Sequence, residues 1–339
     1  MVNKRFWATA FTLSGTIIGA GILGLPYVFA EAGFLIGLFW MVFLGAIILL
    51  INLSMAEVTL KTKGNHQLTG YAEIYLGKWG KRIMFFATIF GIYSALLAYL
   101  VGESRSFSQV LPGNLNPLIL GIVFWVLMNF LVREGLRGLK KMETYAVLTV
   151  IVMVFFLFIR FAPQIQVNNL LEVNLSGFFI PMGVVLFALL GFTSIPKLRE
   201  EIRGSENLLK KAVFVGSIIP ILLNLIFSAV FVGVLGKSVT EVATLSFGGL
   251  VNVIGIFTMF CAYLVLSFVL KDTFKYDLKI SGKLNFFFYS VVPLILYLFV
   301  EVFGLLGFTS ILGVGGCVSA GLTGILIVVI SYRAKRLNK

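Results

Sequence analysis

The chain has 339 residues, 59% of them hydrophobic and 12% charged, with a mean hydropathy of +1.04. That composition excludes an ordinary soluble domain and predicts a polytopic, all-α membrane protein. The formal charge of +13 raises nucleic acid as a partner, a class that the placement of the basic residues then removes.

The first apolar stretch, near 6 to 30, follows Lys4 and Arg5 and continues through Phe29. It is too long for a signal-peptide core and predicts an uncleaved first span. Further apolar stretches lie near 34 to 60, 82 to 103, 117 to 132, 142 to 161, 177 to 196, 212 to 235, 246 to 270, 284 to 302 and 304 to 332. Each is near the roughly 20 residues that cross about 30 Å of hydrocarbon as a helix. The expectation is ten transmembrane helices in a single domain over 1–339, its halves about 6–161 and 177–332 holding five spans each.

With the N-terminus inside, all of the 27 basic residues except Arg105, Arg160 and Lys237 fall in cytoplasmic segments. The positive-inside rule therefore predicts both termini in the cytoplasm and an even span count. The charge reports topology, and no nucleic-acid partner is expected.

Span one contains "GTIIGAGILGLP" at 15 to 26. Gly15 and Gly19 form a GxxxG that lets another helix pack closely. A second reading takes Gly19, Ala20 and Gly21 with Gly24 and Pro26 as an unwound stretch near the midplane, tolerated only where backbone is buried in protein or lines a cavity. Span six supplies a counterpart in "FALLGFTSIPKLREEIR" from Phe187, where Gly191, Thr193, Ser194 and Pro196 precede a charged run from Lys197 to Arg203. Two interrupted helices in corresponding positions of two five-span halves point to a transporter with inverted repeats.

Helix polarity then suggests the ligand. The outer half of span one starts near Ile22 and Leu23 and presents free amides and a positive dipole end, which suits a carboxylate. The outer half of span six ends near Leu189 and presents carbonyls, which suit an ammonium group. Together they describe an α-amino acid. Glu57, Glu103 and Glu301 sit toward span ends, so no acid deep in a span is expected to neutralise an amine.

The remaining signals read more plainly. The segment 64 to 82 predicts a short amphipathic helix anchored at headgroup level by Tyr71, Tyr75 and Trp79. His66, the one histidine, reads as an interfacial residue. Arg199, Glu200, Glu201 and Arg203 form either an inner gate network or a solvated helix end. Cys261 and Cys317 read as packing residues at no ligand spacing, so neither a metal site nor a cofactor is expected. The heptapeptide "LLGFTSI" recurs at 189 to 195 and 305 to 311, a duplication that the repeat symmetry does not predict.

The stretches "GTIIGAGILGLPYVFAEAGF", "GNHQLTGYAEIYLGKWGKR", "YSALLAYLVG" and "GFTSIP" resemble the amino acid/auxin permease family, in particular its tryptophan/tyrosine permease-like prokaryotic branch within the amino acid, polyamine and organocation superfamily. The resemblance implies a five-plus-five inverted repeat like the bacterial leucine transporter, with helices 1 and 6 broken at the midplane. It also implies amino acid transport in the plasma membrane by alternating access, driven by a proton or sodium gradient. Carried over residue by residue, it gives the carboxylate cradle to Gly19, Ala20, Gly21 and Ile22. The amine site and pocket wall go to Phe187, Leu190, Gly191, Phe192, Thr193 and Ser194, and Tyr93 or Tyr99 of span three to the substrate or an outer gate.

An ion site would fall on Ile18 and, in span eight, on Thr258 and Cys261. Sodium-coupled members carry hydroxyls there, whereas this chain has Cys261 and Ala262, and hard sodium prefers oxygen to sulfur. Proton coupling or exchange is therefore favoured, with no proton carrier identified. The substrate expected is a neutral, apolar or aromatic amino acid. The rivals are a drug/metabolite-type exporter with unbroken spans and a non-transporting amino acid sensor of the same fold. A metal transporter would need an acid and an amide in span one, and an enzyme would need clustered acids or histidines at depth. Neither pattern is present.

Overall fold

The structure is a computed structural model describing residues 2–337 except Ala20, Asn65, Asn114, 135–138 and Ser281, with the backbone alone described at 2–3, 134, 139–147, 276–277 and 337. Among the described residues every regular element is a helix. In chain order these are α1 (Val2–Ile17), α2 (Gly21–Ala32), α3 (Phe34–Lys61), α4 (Leu68–Val110), α5 (Pro117–Glu134), α6 (Leu139–Phe161), α7 (Val167–Leu171) and α8 (Ile180–Ala188). They continue with α9 (Ile195–Glu201), α10 (Leu209–Leu235), α11 (Thr244–Phe247), α12 (Gly249–Asp272), α13 (Gly282–Phe286), α14 (Val292–Phe303), α15 (Phe308–Gly315) and α16 (Gly321–Leu337).

Among the described residues six stretches are long and apolar enough to cross a membrane: Phe34–Lys61, Leu68–Val110, Glu206–Ser238, Gly249–Lys275, Gly282–Phe303 and Phe308–Arg336. The pair Lys4–Ile17 and Gly21–Ala32, bent by 56°, makes a seventh if counted as one span, and Pro117–Arg133 and Leu148–Gln164 are shorter apolar helices.

The helix α3 shows why these sequences suit lipid. Its inner face buries Trp40, Met41, Leu44, Ile48, Ile51 and Met55, and its outer face exposes Phe39, Val42, Phe43, Ile47 and Leu50. A helix apolar on both faces has no face for water. Two of its buried donors are paired, as Trp40 Nε1 donates to the Phe178 carbonyl and Asn52 Nδ2 to Ser217 Oγ of α10, whereas Asn52 Oδ1 and Thr59 Oγ1 have no partner among the described residues.

The stretch expected as a surface helix is the first part of α4. Gly77, at φ +76°, turns the chain there, a conformation that a side chain would oppose. Trp79 faces outward at 73% exposure, but Tyr71 and Tyr75 are buried. Tyr71 stacks edge-on against His66 and the Tyr75 hydroxyl pairs with Thr62. Of the three expected anchors only Trp79 is placed to serve as one, because the helix lies against the end of α3 and uses its aromatics for packing. Cys317 is exposed rather than packed, whereas Cys261 is buried.

The helices pack in two groups. In one, α1, α2, α3, α8, α9 and α10 are in mutual contact; in the other, α4, α5, α12 and α14 are. The segments joining α15 and α16 lie against α4 and α8 and so bridge the two groups.

Candidate functional site

The helix α1 ends at Ile17 and α2 begins at Gly21. The last turn of α1 is tied to its neighbour, since Ser14 Oγ lies 3.0 Å from the carbonyls of both Ala10 and Gly216. The start of α2 is tied to the segment before α11, where the Ala243 N–H donates to the Leu23 carbonyl at 2.9 Å. The other chain interruption runs from Leu189 to Ser194, between α8 and α9. There the Leu190 N–H bonds the Phe187 carbonyl at 3.2 Å, and Ser194 gives both its N–H and its hydroxyl to the Gly191 carbonyl.

These two interruptions touch reciprocally. A Cβ placed on Gly21 would lie 2.4 Å from Ala188 Cα, and one on Gly191 would lie 2.5 Å from Ile17 Cγ1. The amide end of α2 therefore meets the carbonyl end of α8, and the two helix dipoles present opposite partial charges side by side. Such a pair of ends complements a zwitterion. Gly21 also serves close packing of α2 on α8, whereas Gly19, the second glycine of the GxxxG, faces Tyr99 of α4 instead.

The expected site residues distribute unevenly around it. Ile22, Phe187 and Phe192 are buried, Phe187 lying against Gly315 at the end of α15, while Leu190 and Ser194 are half-buried and Thr193 is exposed. Gly19 faces the Tyr99 hydroxyl, 3.4 Å from where its Cβ would be. Ala20 lies outside the described residues. Of the two tyrosines expected at the site, Tyr93 donates to the Phe288 carbonyl at 2.9 Å, and Tyr99 is the one brought to the first interruption.

The expected ion-site residues are less clearly grouped. Ile18 is buried at the end of α1. Thr258 gives its hydroxyl to the Gly255 carbonyl on its own helix. Cys261 is buried on α12, whose principal neighbours are α4 and α6 rather than α1 or α2.

Beyond the interruptions lie two polar clusters. Where α4 nears its C-terminal end, Arg105 donates to Glu241, which also accepts the Phe308 N–H at 3.2 Å and the Thr309 hydroxyl at 3.0 Å. One carboxylate thus joins α4, the segment before α11 and the start of α15. At the opposite end Arg5 donates to the Arg203 carbonyl at 2.7 Å, and Arg199 donates to the carbonyls of Thr59, Thr62 and Gly64. Glu200 and Glu201 are exposed and, among the described residues, form no ion pair. The arginines there work by holding backbone carbonyls rather than by pairing with acids.

Glu103 departs most from expectation. It was expected toward a span end, and in the structure it is 0% exposed, with both its carboxyl oxygens sealed and no hydrogen-bond partner among the described residues. The available signal was its company in "YLVGES": small and apolar neighbours on a helix that packs on all sides.

The tryptophan/tyrosine permease family model matches residues 2–339. The chain is 26% identical over 220 residues to tyrosine-specific transport system 1 of Haemophilus influenzae, an alignment covering 64% of this chain and 55% of that protein. It is 24% identical to tyrosine-specific transport system 2 of the same organism, over 70% of this chain and 60% of that one. It is also 24% identical to glutamine transporter 2 of Aliivibrio fischeri, over 68% and 62%. The chain thus spans between 55% and 62% of the length of these relatives. Among solved structures, a manganese transporter of Eremococcus coleocola, in complex with an aromatic bis-isothiourea substituted compound, superposes with a TM-score of 0.59 at 12% identity, over 96% of this chain and 76% of that one. That likeness concerns the fold alone. From its whole-length family match and its long apolar helices, the chain is a multi-pass membrane protein belonging to the tryptophan/tyrosine permease family.

Proposed function

We propose that this protein is a secondary active transporter of amino acids with neutral, apolar or aromatic side chains, working by alternating access in the plasma membrane. The observation that carries the reading is the meeting of the amide end of α2 with the carbonyl end of α8 across Gly21 and Ala188. Backbone amides hold the substrate carboxylate and backbone carbonyls its ammonium group. Phe187, Leu190 and Phe192 wall the side-chain pocket, and Tyr99 closes it from α4. The names of the relatives, which specify tyrosine and glutamine, support an amino acid as the cargo.

The reading includes ten spans in a five-plus-five inverted repeat, with the α1/α2 and α8/α9 pairs as broken spans one and six. Its support is the packing pattern. Segments five spans apart lie against each other: α2 on α8, α3 on α10, α4 on α12 and α5 on α14. An axis in the membrane plane that relates two halves brings corresponding elements together in this way. Both termini lie in the cytoplasm, in keeping with the basic clusters.

In the conformation described here Gly21 lies against Ala188 and Gly191 against Ile17, so substrate entry requires these segments to separate. The Glu241 cluster closes the outer side, and the carbonyl contacts of Arg5 and Arg199 close the inner side. Coupling to protons is favoured over sodium on the sequence correspondence, which gives this chain Cys261 where sodium-coupled members carry a hydroxyl.

The test is uptake of labelled amino acids by proteoliposomes under an imposed proton gradient, a sodium gradient or neither. Gradient-dependent accumulation is the expected outcome. Binding without flux would indicate a sensor, and flux of other metabolites alone would indicate an exporter.

A further inference from the structure

The transporter reading leaves Glu103 without a task, and its surroundings are unusual for a carboxyl group. It lies on α4, which packs closely on α12, fully buried and with neither oxygen hydrogen-bonded among the described residues. Beside it, a Cβ on Gly102 would meet Met259 Sδ at 2.8 Å and the Phe308 ring at 3.1 Å. The Cys261 thiol of α12 lies within electrostatic reach.

Among the described residues no cation pairs with it. Arg105, two residues along the same helix, is committed to Glu241. From α14, Tyr297 gives its hydroxyl to the Pro117 carbonyl, and Glu301 brings a second acid. Between Pro117 and Asn129 of α5, and throughout α15, the sequence has no titratable side chain. On α16 Arg333 is bound to the Tyr75 carbonyl at the far end of α4. An ionised carboxylate with no water and no partner is strongly disfavoured in such a medium. A sodium ion would need several hard oxygen ligands, whereas a thioether, a thiol and an aromatic ring border this turn of the helix.

We propose that Glu103 is the proton-binding site that couples the cycle to a proton gradient, an assignment that rests on the transporter reading above. Tyr99 stands one turn before Glu103 on the same face of α4, with its hydroxyl at Gly19 of the first interruption. The Arg105–Glu241 contact lies on the outer side of Glu103. When that contact opens, water reaches the carboxyl and a proton adds to one of its oxygens. After the inner side opens, the same proton leaves to water there. The α4 turn between Glu103 and Tyr99 links proton occupancy to the geometry of the first interruption.

The test compares the purified parent with Glu103→Gln and Glu103→Asp, each checked for folding by elution and thermal unfolding. Infrared difference spectroscopy at neutral pH should reveal a protonated carboxyl band in the parent that Glu103→Gln lacks. Identical parent and Gln spectra in that region would overturn the proposal whatever the protein transports. In proteoliposomes with labelled tyrosine as the probe, a gradient of about one pH unit supplies up to about tenfold accumulation per proton. The parent and Glu103→Asp should show gradient-driven accumulation. Glu103→Gln should lose it while still exchanging internal for external tyrosine. A Gln variant that accumulates like the parent, one that loses exchange as well, or accumulation driven by sodium in the parent and lost in Gln, would each overturn the assignment. A parent that moves no amino acid would instead overturn the transporter reading, with the infrared result still deciding the state of Glu103.

Discussion

Glu241 accepts hydrogen bonds from Arg105, the Phe308 N–H and the Thr309 hydroxyl, whereas Glu103, two residues from that same arginine, accepts none among the described residues. The first is a tie. Its three donors come from α4 and the start of α15, so the carboxylate holds both to the segment before α11. The second is sealed with no partner among the described residues, the setting in which we propose that a proton is taken up and released. The arginine of α4 thus binds an acid from the segment before α11, while the acid two residues earlier on the same helix is left without a partner.

The largest effect that sharpens this contrast is expected from the Arg105–Glu241 pair. The Arg105 side chain is 35% exposed and that of Glu241 24%, so solvent screening discounts the value of a fully buried pair. Arg105→Ala should cost about 1–2 kcal/mol of stability, read by thermal unfolding in detergent. A double-mutant cycle with Glu241→Gln should return a coupling of similar size, and a coupling near zero would break the comparison. Thr309→Val removes one hydrogen bond from the same carboxylate and should cost about 1 kcal/mol, with a smaller fall in the unfolding midpoint than Arg105→Ala. The smallest effect belongs to Glu103→Gln, a near-isosteric exchange of one unpartnered polar group for another, which should shift the unfolding midpoint least. An amide there loses no charged partner, so a large destabilisation would mean that Glu103 is ionised and paired.

How much of this was legible in the sequence depends on whether the signal is local. Glycine and proline crowded into an apolar run are a local signal, and α1 ends at Ile17 and α8 at Ala188 within or beside those stretches. The lipid-facing character of α3 was equally readable from its composition. Burial of Glu103 was not, because position along a span gives depth in the bilayer but not what packs on that face. The same reason separates Tyr93 from Tyr99. Six residues on a helix turn the side chain by about 240°, and only the packing of α4 decides which of the two faces Gly19. Arg105 and Glu241 stand 136 residues apart, a distance over which charge pairing leaves no pattern in one sequence. Tyr71 and Tyr75 were misread for a related reason, since helical spacing looks alike on a headgroup surface and against the end of α3.

The central claim is that the two interruptions together form the amino acid site, and equilibrium binding tests it most directly. Binding of labelled tyrosine and glutamine to the purified parent would be compared with Gly21→Leu, Gly191→Leu and Tyr99→Phe, with folding checked by thermal unfolding. A Leu at Gly21 must displace the Ala188 backbone and one at Gly191 must displace Ile17 and Leu13, so both should abolish binding, while Tyr99→Phe, which leaves the packing intact, should weaken it by several-fold, about 1 kcal/mol. Saturable binding by the parent and its loss in the glycine variants is the result this account predicts. Binding of parental affinity in folded Gly21→Leu and Gly191→Leu would contradict it.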